Sequence, residues 1–334
     1  MSKTQAKEVH LQSRPQGEPA PDNFQVVTVN LPELKVDDVL VRNAYFSVDP
    51  YMRARMNDTK SYVPPFALGK ALDGAAVGQV VQSRNTDFPV STWVQSLCGW
   101  RDYYVAPASQ LRTVDVSQAP ASAFLGVLGA TGLTAWVGLH EIAQIKEGET
   151  IFVSGAAGAV GSVVCQLAKL QGCRVIASAG TATKVAFLKN EVKVDVAFNY
   201  HQADVLAELQ TAAPEGLHVY FDNTEGPQLE AALACMRNHG RIVLCGAISG
   251  YNQPVPGPNN LALSIGKRLR LQGMIVADHL HRMPQFLAAM VPLLRAGKLL
   301  HRETIMQGIE NAPEAFLSLL RTGDSHIGKL VIRI

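Results

Sequence analysis

The sequence predicts an α/β protein: a doubly wound, parallel six-stranded sheet accompanied by a second, β-rich domain. Three observations lead there. From Glu149 onward short apolar runs alternate with helix-like segments, placing strands at 150–154, 174–179, 194–199, 218–222 and 241–245, with 269–276 as the sixth and last. Ahead of them, between Phe24 and Leu111, runs such as 39–41, 75–81 and 103–105 are short and interrupted by Pro, Gly, Asn and Asp, the texture of antiparallel strands. Finally, 310–334 holds one amphipathic segment and a terminal strand over 329–334, which are expected to return to the first domain and make it discontinuous. The domain limits read as 1–126 with 300–334 for the β-rich part and 127–299 for the doubly wound part.

Each element has a local reason. The helix after the first strand places Val160, Val164, Leu167 and Ala168 on one face, the spacing of a helix packed on a sheet. A later helix is expected over 283–295, kinked by Pro292. The uncharged stretch 116–140 is interrupted by Pro120, Gly126, Gly129, Gly132 and Gly138, so it reads as buried helices at a domain seam, not as a membrane span. No internal repeat or low-complexity segment occurs.

Composition narrows the function classes. With 47% hydrophobic residues the chain can build two cores without metal or disulfide staples. Thirty basic residues against 28 acidic ones leave a net charge of +2 with the basic residues scattered along the sequence, so no nucleic-acid partner is expected. The five cysteines, Cys98, Cys165, Cys173, Cys235 and Cys245, form no C-x-x-C pair and fit a reducing, cytoplasmic location. The first twenty residues are polar and proline-bearing, so neither a signal nor a transit segment is expected.

The chemistry is most legible at Gly155-Ala156-Ala157-Gly158-Ala159-Val160-Gly161, which follows the apolar run Ile151-Phe152-Val153-Ser154 and opens a helix. A turn of small residues lets the main chain approach a pyrophosphate, and the helix N-terminus offers it unpaired N–H groups and a positive dipole end. An acidic residue at the end of the second strand would bind the ribose hydroxyls of NAD. Here Ser178-Ala179-Gly180-Thr181 stands instead, with Lys184 one turn later and Tyr200 after the third strand. No carboxylate repels a 2′-phosphate, and a lysine and a phenol can bind one, so the cofactor expected is NADPH.

No metal site is expected, because Cys98 is the only cysteine in the β-rich domain and no zinc-ligand spacing involves it. No G-x-S-x-G elbow occurs either, and His218 and His239 read as structural or solvated.

With these residues in view, the chain resembles the zinc-independent branch of the medium-chain dehydrogenase/reductase superfamily, in the group of prostaglandin, plant double-bond and curcumin reductases. The resemblance rests on Asp49-Pro50-Tyr51-Met52-Arg53, Ser61-Tyr62-Val63-Pro64-Pro65, the Gly155–Gly161 turn, Phe221-Asp222-Asn223, the run from Cys245 to Asn252, and Gly328-Lys329. It implies a Rossmann domain with a GroES-like catalytic domain, and NADPH-dependent reduction of the carbon–carbon double bond of α,β-unsaturated ketones and aldehydes. It also implies cofactor contacts at Gly155, Gly158, Ala159, Val160, Gly161, Gly180, Lys184, Tyr200, Asn223, Cys245, Gly246, Ala247, Ile248, Ser249, Tyr251, Met274, Ile275, Val276 and His326. Five positions depart from the group: Gly155 for alanine, Thr224-Glu225 for Val-Gly, Gly266 for a pocket tyrosine, and His326 for asparagine.

The reaction needs a hydride on the β-carbon, a proton on the α-carbon and a polarised carbonyl. Tyr62 is the first candidate for the phenol that donates, with Tyr51 and Tyr251 as rivals. A quinone reductase sharing this cofactor is the alternative enzyme, and a non-catalytic NADPH-binding or redox-sensing protein the alternative of another class. An apolar edge on the sixth strand would be paired in a homodimer.

Overall fold

The computed structural model describes residues 4–321, 323 and 326–334; the first three positions of the polar N-terminal stretch lie outside them. The chain divides into two compact units, Met1–Gly126 with Glu303–Arg321 and Leu330–Ile334, and Val127–Arg302 with Thr322–Lys329.

The second unit holds six parallel strands, Thr150–Val153, Arg174–Ala179, Val196–Asn199, Leu217–Asp222, Met236–Leu244 and Arg270–Gly273. Numbered along the chain, they lie in the order 3-2-1-4-5-6. The order therefore reverses between the first and fourth strands, where an open α/β sheet leaves a crevice beyond its carboxyl ends. Helices cover both faces of such a sheet, so its central strands read as unbroken apolar runs: Ile151, Phe152 and Val153 are all fully buried. The Phe152 ring stacks on Tyr220 at 4.9 Å and on Phe198 at 6.1 Å, tying three strands together. On the helix Gly161–Leu170, Val164, Leu167 and Ala168 are buried, while Val160 is half-buried at the N-cap.

Two strands differ from expectation. The fifth starts at Met236 and not at Arg241, because Arg237, Asn238 and His239 continue it through a register shift with His239 at φ +63°. The sixth is only Arg270–Gly273, since the chain turns at Ile275 into the 3-10 turn Val276–Arg282. Its edge is accordingly less apolar than the sequence suggested, with only Leu271 partly buried. The following helix spans Met283–Arg295 and contains Pro292. The uncharged stretch forms a 3-10 turn at Ala121–Leu125 and a helix at Ala130–Val137 that runs on as a π-helix over Gly138–Ala143. Among the described residues no helix is long and apolar enough to cross a membrane.

The first unit is built on a seven-stranded sheet centred on Asp38–Ser47, which pairs with Ala76–Ser83, Tyr103–Pro107 and the C-terminal strand Lys329–Arg333, all antiparallel. Gln5–Leu11 and Phe24–Asn30 form a separate antiparallel pair. Trp100 centres the core, stacked on Phe24 at 6.1 Å and edge-on to Phe316 at 6.0 Å.

Because Phe152 bridges three strands, Phe152→Ala is expected to cost about 3–5 kcal/mol, as large-to-small changes in packed cores do. Urea unfolding measures this, and a loss below about 1 kcal/mol would contradict the packing described.

Candidate functional site

The first strand ends at Val153 and the chain turns through Gly155, whose φ of +58° favours glycine; an alanine there would carry strain. Gly161 opens the helix under a tighter constraint. A Cβ at that position would lie 2.5 Å from the Gly155 carbonyl oxygen and 2.7 Å from the Ala156 Cα, so no larger residue fits. The amides of Ser162 and Val164 donate to the carbonyls of Gly158 and Val160, each at 3.0 Å. Those of Val160 and Gly161 have no partner among the described residues. Two free N–H groups at the positive end of a ten-residue helix make a ready anion cradle. Gly328 joins this turn from the far end of the chain, its amide donating to Ala157 O at 2.8 Å, and so brings the segment carrying half-buried His326 alongside.

At the end of the second strand, Thr181 caps the helix Ala182–Phe187 by accepting from the Lys184 amide at 3.3 Å, which puts Lys184 in the helix's first turn. The Tyr200 amide donates to Ala179 O at 3.2 Å and its hydroxyl lies 3.4 Å from where a Gly180 Cβ would stand. Burial pushes the Tyr200 phenol up, so it stays a neutral donor. His201, which the sequence pattern did not single out, joins this cluster: its ring packs 4.2 Å from that of Tyr200 and borders Gly180. Its adjacency to Tyr200 is the only signal that could have found it.

The fourth strand ends in a buried hub. The Asp222 Oδ1 accepts from the Tyr220 hydroxyl at 2.8 Å, Ser154 Oγ at 3.3 Å, and the amides of Thr224 and Glu225 at 2.9 and 2.8 Å. Burial pushes this carboxyl up while the donors pull it down, and burial prevails. The Asp222 carbonyl accepts from the amides of Cys245 and Gly246, at 2.9 and 3.1 Å. Asn223 turns inward instead, giving its Nδ2 to Ser154 O at 2.8 Å. Ile248 and Ser249 continue the seam through amide bonds to the Asn223 and Thr224 carbonyls, and Ser249 Oγ also donates to Thr224 O. Most of the predicted contacts from Asn223 to Tyr251 thus share one hydrogen-bonded layer, with Tyr251 bonded to Ile248 O and Ala247 accepting from Gly250. Met274 enters it through an amide bond to Leu244 O at 3.2 Å, followed by half-buried Ile275 and Val276. Burial pushes the Cys245 thiol up to about 12, which suits a neutral contact and not a nucleophile. The supports Ser154, Tyr220 and Asp222 were not foreseen as a hub; their bonds span 66 to 69 residues.

Glu225 follows the hub at φ +67° and ψ −162°, a region that is essentially reserved for glycine. Its Oε2 lies 3.4 Å from where a Gly250 Cβ would stand, so the carboxylate packs on the neighbouring turn. Gly266, in the short exposed helix Leu263–Lys267, has open space around it.

In the first unit, Tyr51 precedes the short helix Met52–Arg55 and packs against the core; burial, then the charge of Asp49, pushes its phenol up. Tyr62 is 62% exposed. Arg55, missed in the sequence, fixes the loop that carries Tyr62. Its guanidinium is buried, pairs with both oxygens of Asp73, donates to Pro64 O at 2.9 Å and lies 4.0 Å over the Phe66 ring. Tyr51 and Tyr62 lie within each other's electrostatic reach, whereas Tyr251 belongs to the second unit.

Among the described residues no group of three or more His, Cys, Asp or Glu could hold a metal ion. Two family models match the chain, the N-terminal domain of oxidoreductase over residues 7–114 and zinc-binding dehydrogenase over residues 159–291. The NADPH-dependent curcumin reductase of Escherichia coli is 40% identical over 332 residues, 97% of this chain and 95% of that protein. The NADP(+)-dependent 2-alkenal reductase of Nicotiana tabacum is 39% identical over 336 residues, 98% of this chain and 97% of that protein. The crystal structure of CurA from Vibrio vulnificus in complex with NADPH superposes with a TM-score of 0.92 at 38% identity, covering 98% of both chains.

Since Glu225 holds a glycine backbone conformation, Glu225→Gly is expected to raise stability by about 1–2 kcal/mol. A urea midpoint that falls in the variant would mean the side chain contributes more than the strain costs.

Proposed function

The chain belongs to the double-bond reductase group of the medium-chain dehydrogenase/reductase superfamily, and on that premise we propose that it uses NADPH to reduce the carbon–carbon double bond of α,β-unsaturated ketones and aldehydes. The observation that carries the reading is the anion cradle at Val160 and Gly161 beside a strand end that offers Lys184 and Tyr200 but no carboxylate. The relatives that span nearly the whole chain and are named as NADPH-dependent curcumin reductase and NADP-dependent 2-alkenal reductase support it.

NADPH, when bound, supplies the hydride that ends on the substrate's β-carbon. The Val160 and Gly161 amides would hold its pyrophosphate, and Lys184 with Tyr200 would take the 2′-phosphate. A neutral phenol then donates toward the developing enolate as the α-carbon gains its proton. Tyr62 suits that role by its exposure and by the Arg55-anchored loop beneath it. Tyr51 is the weaker rival because burial raises its phenol, and Tyr251 remains the rival from the second unit. We further propose cytoplasmic work, in keeping with five free thiols, and a homodimer formed through the outer edge of Arg270–Gly273, which has no strand partner among the described residues.

With NADPH, a panel of enones that includes a diaryl dienone is expected to show cofactor oxidation, read at its absorbance band; inactivity across the panel would overturn the proposal. Tyr62→Phe is expected to lower kcat about 100-fold, within the range of general acid catalysis, and full turnover would remove Tyr62 from the role. Lys184→Ala is expected to raise KM for NADPH about tenfold, the weight of one charge-assisted contact, with little change for NADH. Equal effects on both nucleotides would separate Lys184 from the 2′-phosphate.

A further inference from the structure

A concavity of about 280 Å³ in the second unit is lined by Gln144, Lys146, His239, Arg241, Arg268 and Arg270. It lies toward the opposite end of the parallel sheet from the nucleotide turn. Gln144 and Lys146 precede the first strand, whereas Gly155–Gly161 follows it. The chain collects positive charge here at some cost. Arg241 and Arg270 are register partners on adjacent parallel strands, and like charges so placed repel. Three of the lining residues, Gln144, His239 and Arg268, hold left-handed backbone conformations that non-glycine residues rarely adopt.

Structural duties account for part of the cluster. Arg241 is bidentate to Glu149, at 2.8 and 2.5 Å, and donates to Ala143 O at 2.7 Å; Arg270 donates to Ile142 O. Both carbonyls belong to the end of the π-helix Gly138–Ala143, where cations offset a partial charge of about half an elementary unit. Glu149 and that helix end together leave more than two positive charges unbalanced. Among the described residues the Arg268 guanidinium bonds only to the neutral Gly266 carbonyl, and neither it nor Lys146 nor Arg270 has a carboxylate partner.

We propose that this concavity is a second anion site, one that takes a small oxyanion of two or more negative charges. Arg268 and Lys146 would close on it from exposed positions, while the buttressed guanidiniums of Arg241 and Arg270 form its floor. The site is separate from the cradle at Val160 and Gly161 and does not depend on the reaction proposed above.

The test is calorimetric titration at constant ionic strength of protein saturated with NADPH, so that the nucleotide cradle is filled. Pyrophosphate and citrate are the probes, one phosphate-borne and one carboxylate-borne, and the tighter of the two identifies the preferred source. Saturable one-to-one binding of at least one is expected, weakened about tenfold or more in Arg268→Gln/Arg270→Gln, the scale of one lost charge-assisted bond. NADPH affinity is expected to stay unchanged. Lys146→Gln, on an exposed turn, gives the same reading if the double variant does not fold. Absence of saturable heat with both probes, or equal affinity in wild type and variants, would overturn the proposal.

Discussion

One carboxylate oxygen holds the nucleotide end of the sheet together. Asp222 Oδ1 collects three hydroxyls, from Ser154, Tyr220 and Thr224, and two amides, while the same residue's carbonyl collects the two amides that open the next turn. A buried carboxylate is costly in isolation, and bonds to a charged acceptor each return about 1.5–3 kcal/mol. Burial still prevails with these donors in place, so the hub needs every one of them. That condition couples the end of the first strand, through Ser154, to the exit of the fourth and of the fifth. The crevice at the point where strand order reverses is therefore a fixed surface, against which Gly155 and Gly161 can set the turn closely.

The glycines act within that frame. At Gly161 the absent Cβ lets the helix begin directly against the Gly155 carbonyl, so the unpartnered amides emerge at a fixed distance from the strand. At Gly328 the constraint is similar, since a side chain there would overlap the Arg302 carbonyl. Glu225 breaks the pattern, placing a branched-out acidic residue in a backbone region suited to glycine. Its amide bond to Asp222 is part of the hub, so the strain is held in place by the same oxygen that orders the site.

What the sequence made legible follows from how local each signal is. The turn 155–161, the missing acid after the second strand and the helix 283–295 are set by residues close together in the chain, and spacing alone located them. The fifth strand was cut short because Arg237, Asn238 and His239 have the composition of a turn; the pairing that makes them part of a strand comes from a neighbour with a register shift. The sixth was drawn too long because Ile275 and Val276 look like strand residues until Met274 bonds back to Leu244 and the chain turns. Among site residues, the candidates the sequence offered lie within single strand–turn units. Arg55 with Asp73, and Ser154 with Asp222, act across 18 and 68 residues and left no local trace.

The two ends of the parallel sheet also differ in what they ask of side chains. At the carboxyl end, helix N-termini present amides and positive potential, so an anion can be held with few cations. At the amino end, helices finish and present carbonyls, and the π-helix Gly138–Ala143, whose Ile142 and Ala143 are buried, turns their carbonyls to Arg270 and Arg241. Guanidiniums are drawn there to cap them, which explains why Arg241 and Arg270 can lie side by side in spite of their charge. Capping requires only part of that charge. The remainder, with Arg268 and Lys146 added, is what turns a helix end from a neutralised terminus into a place with a net appetite for anions.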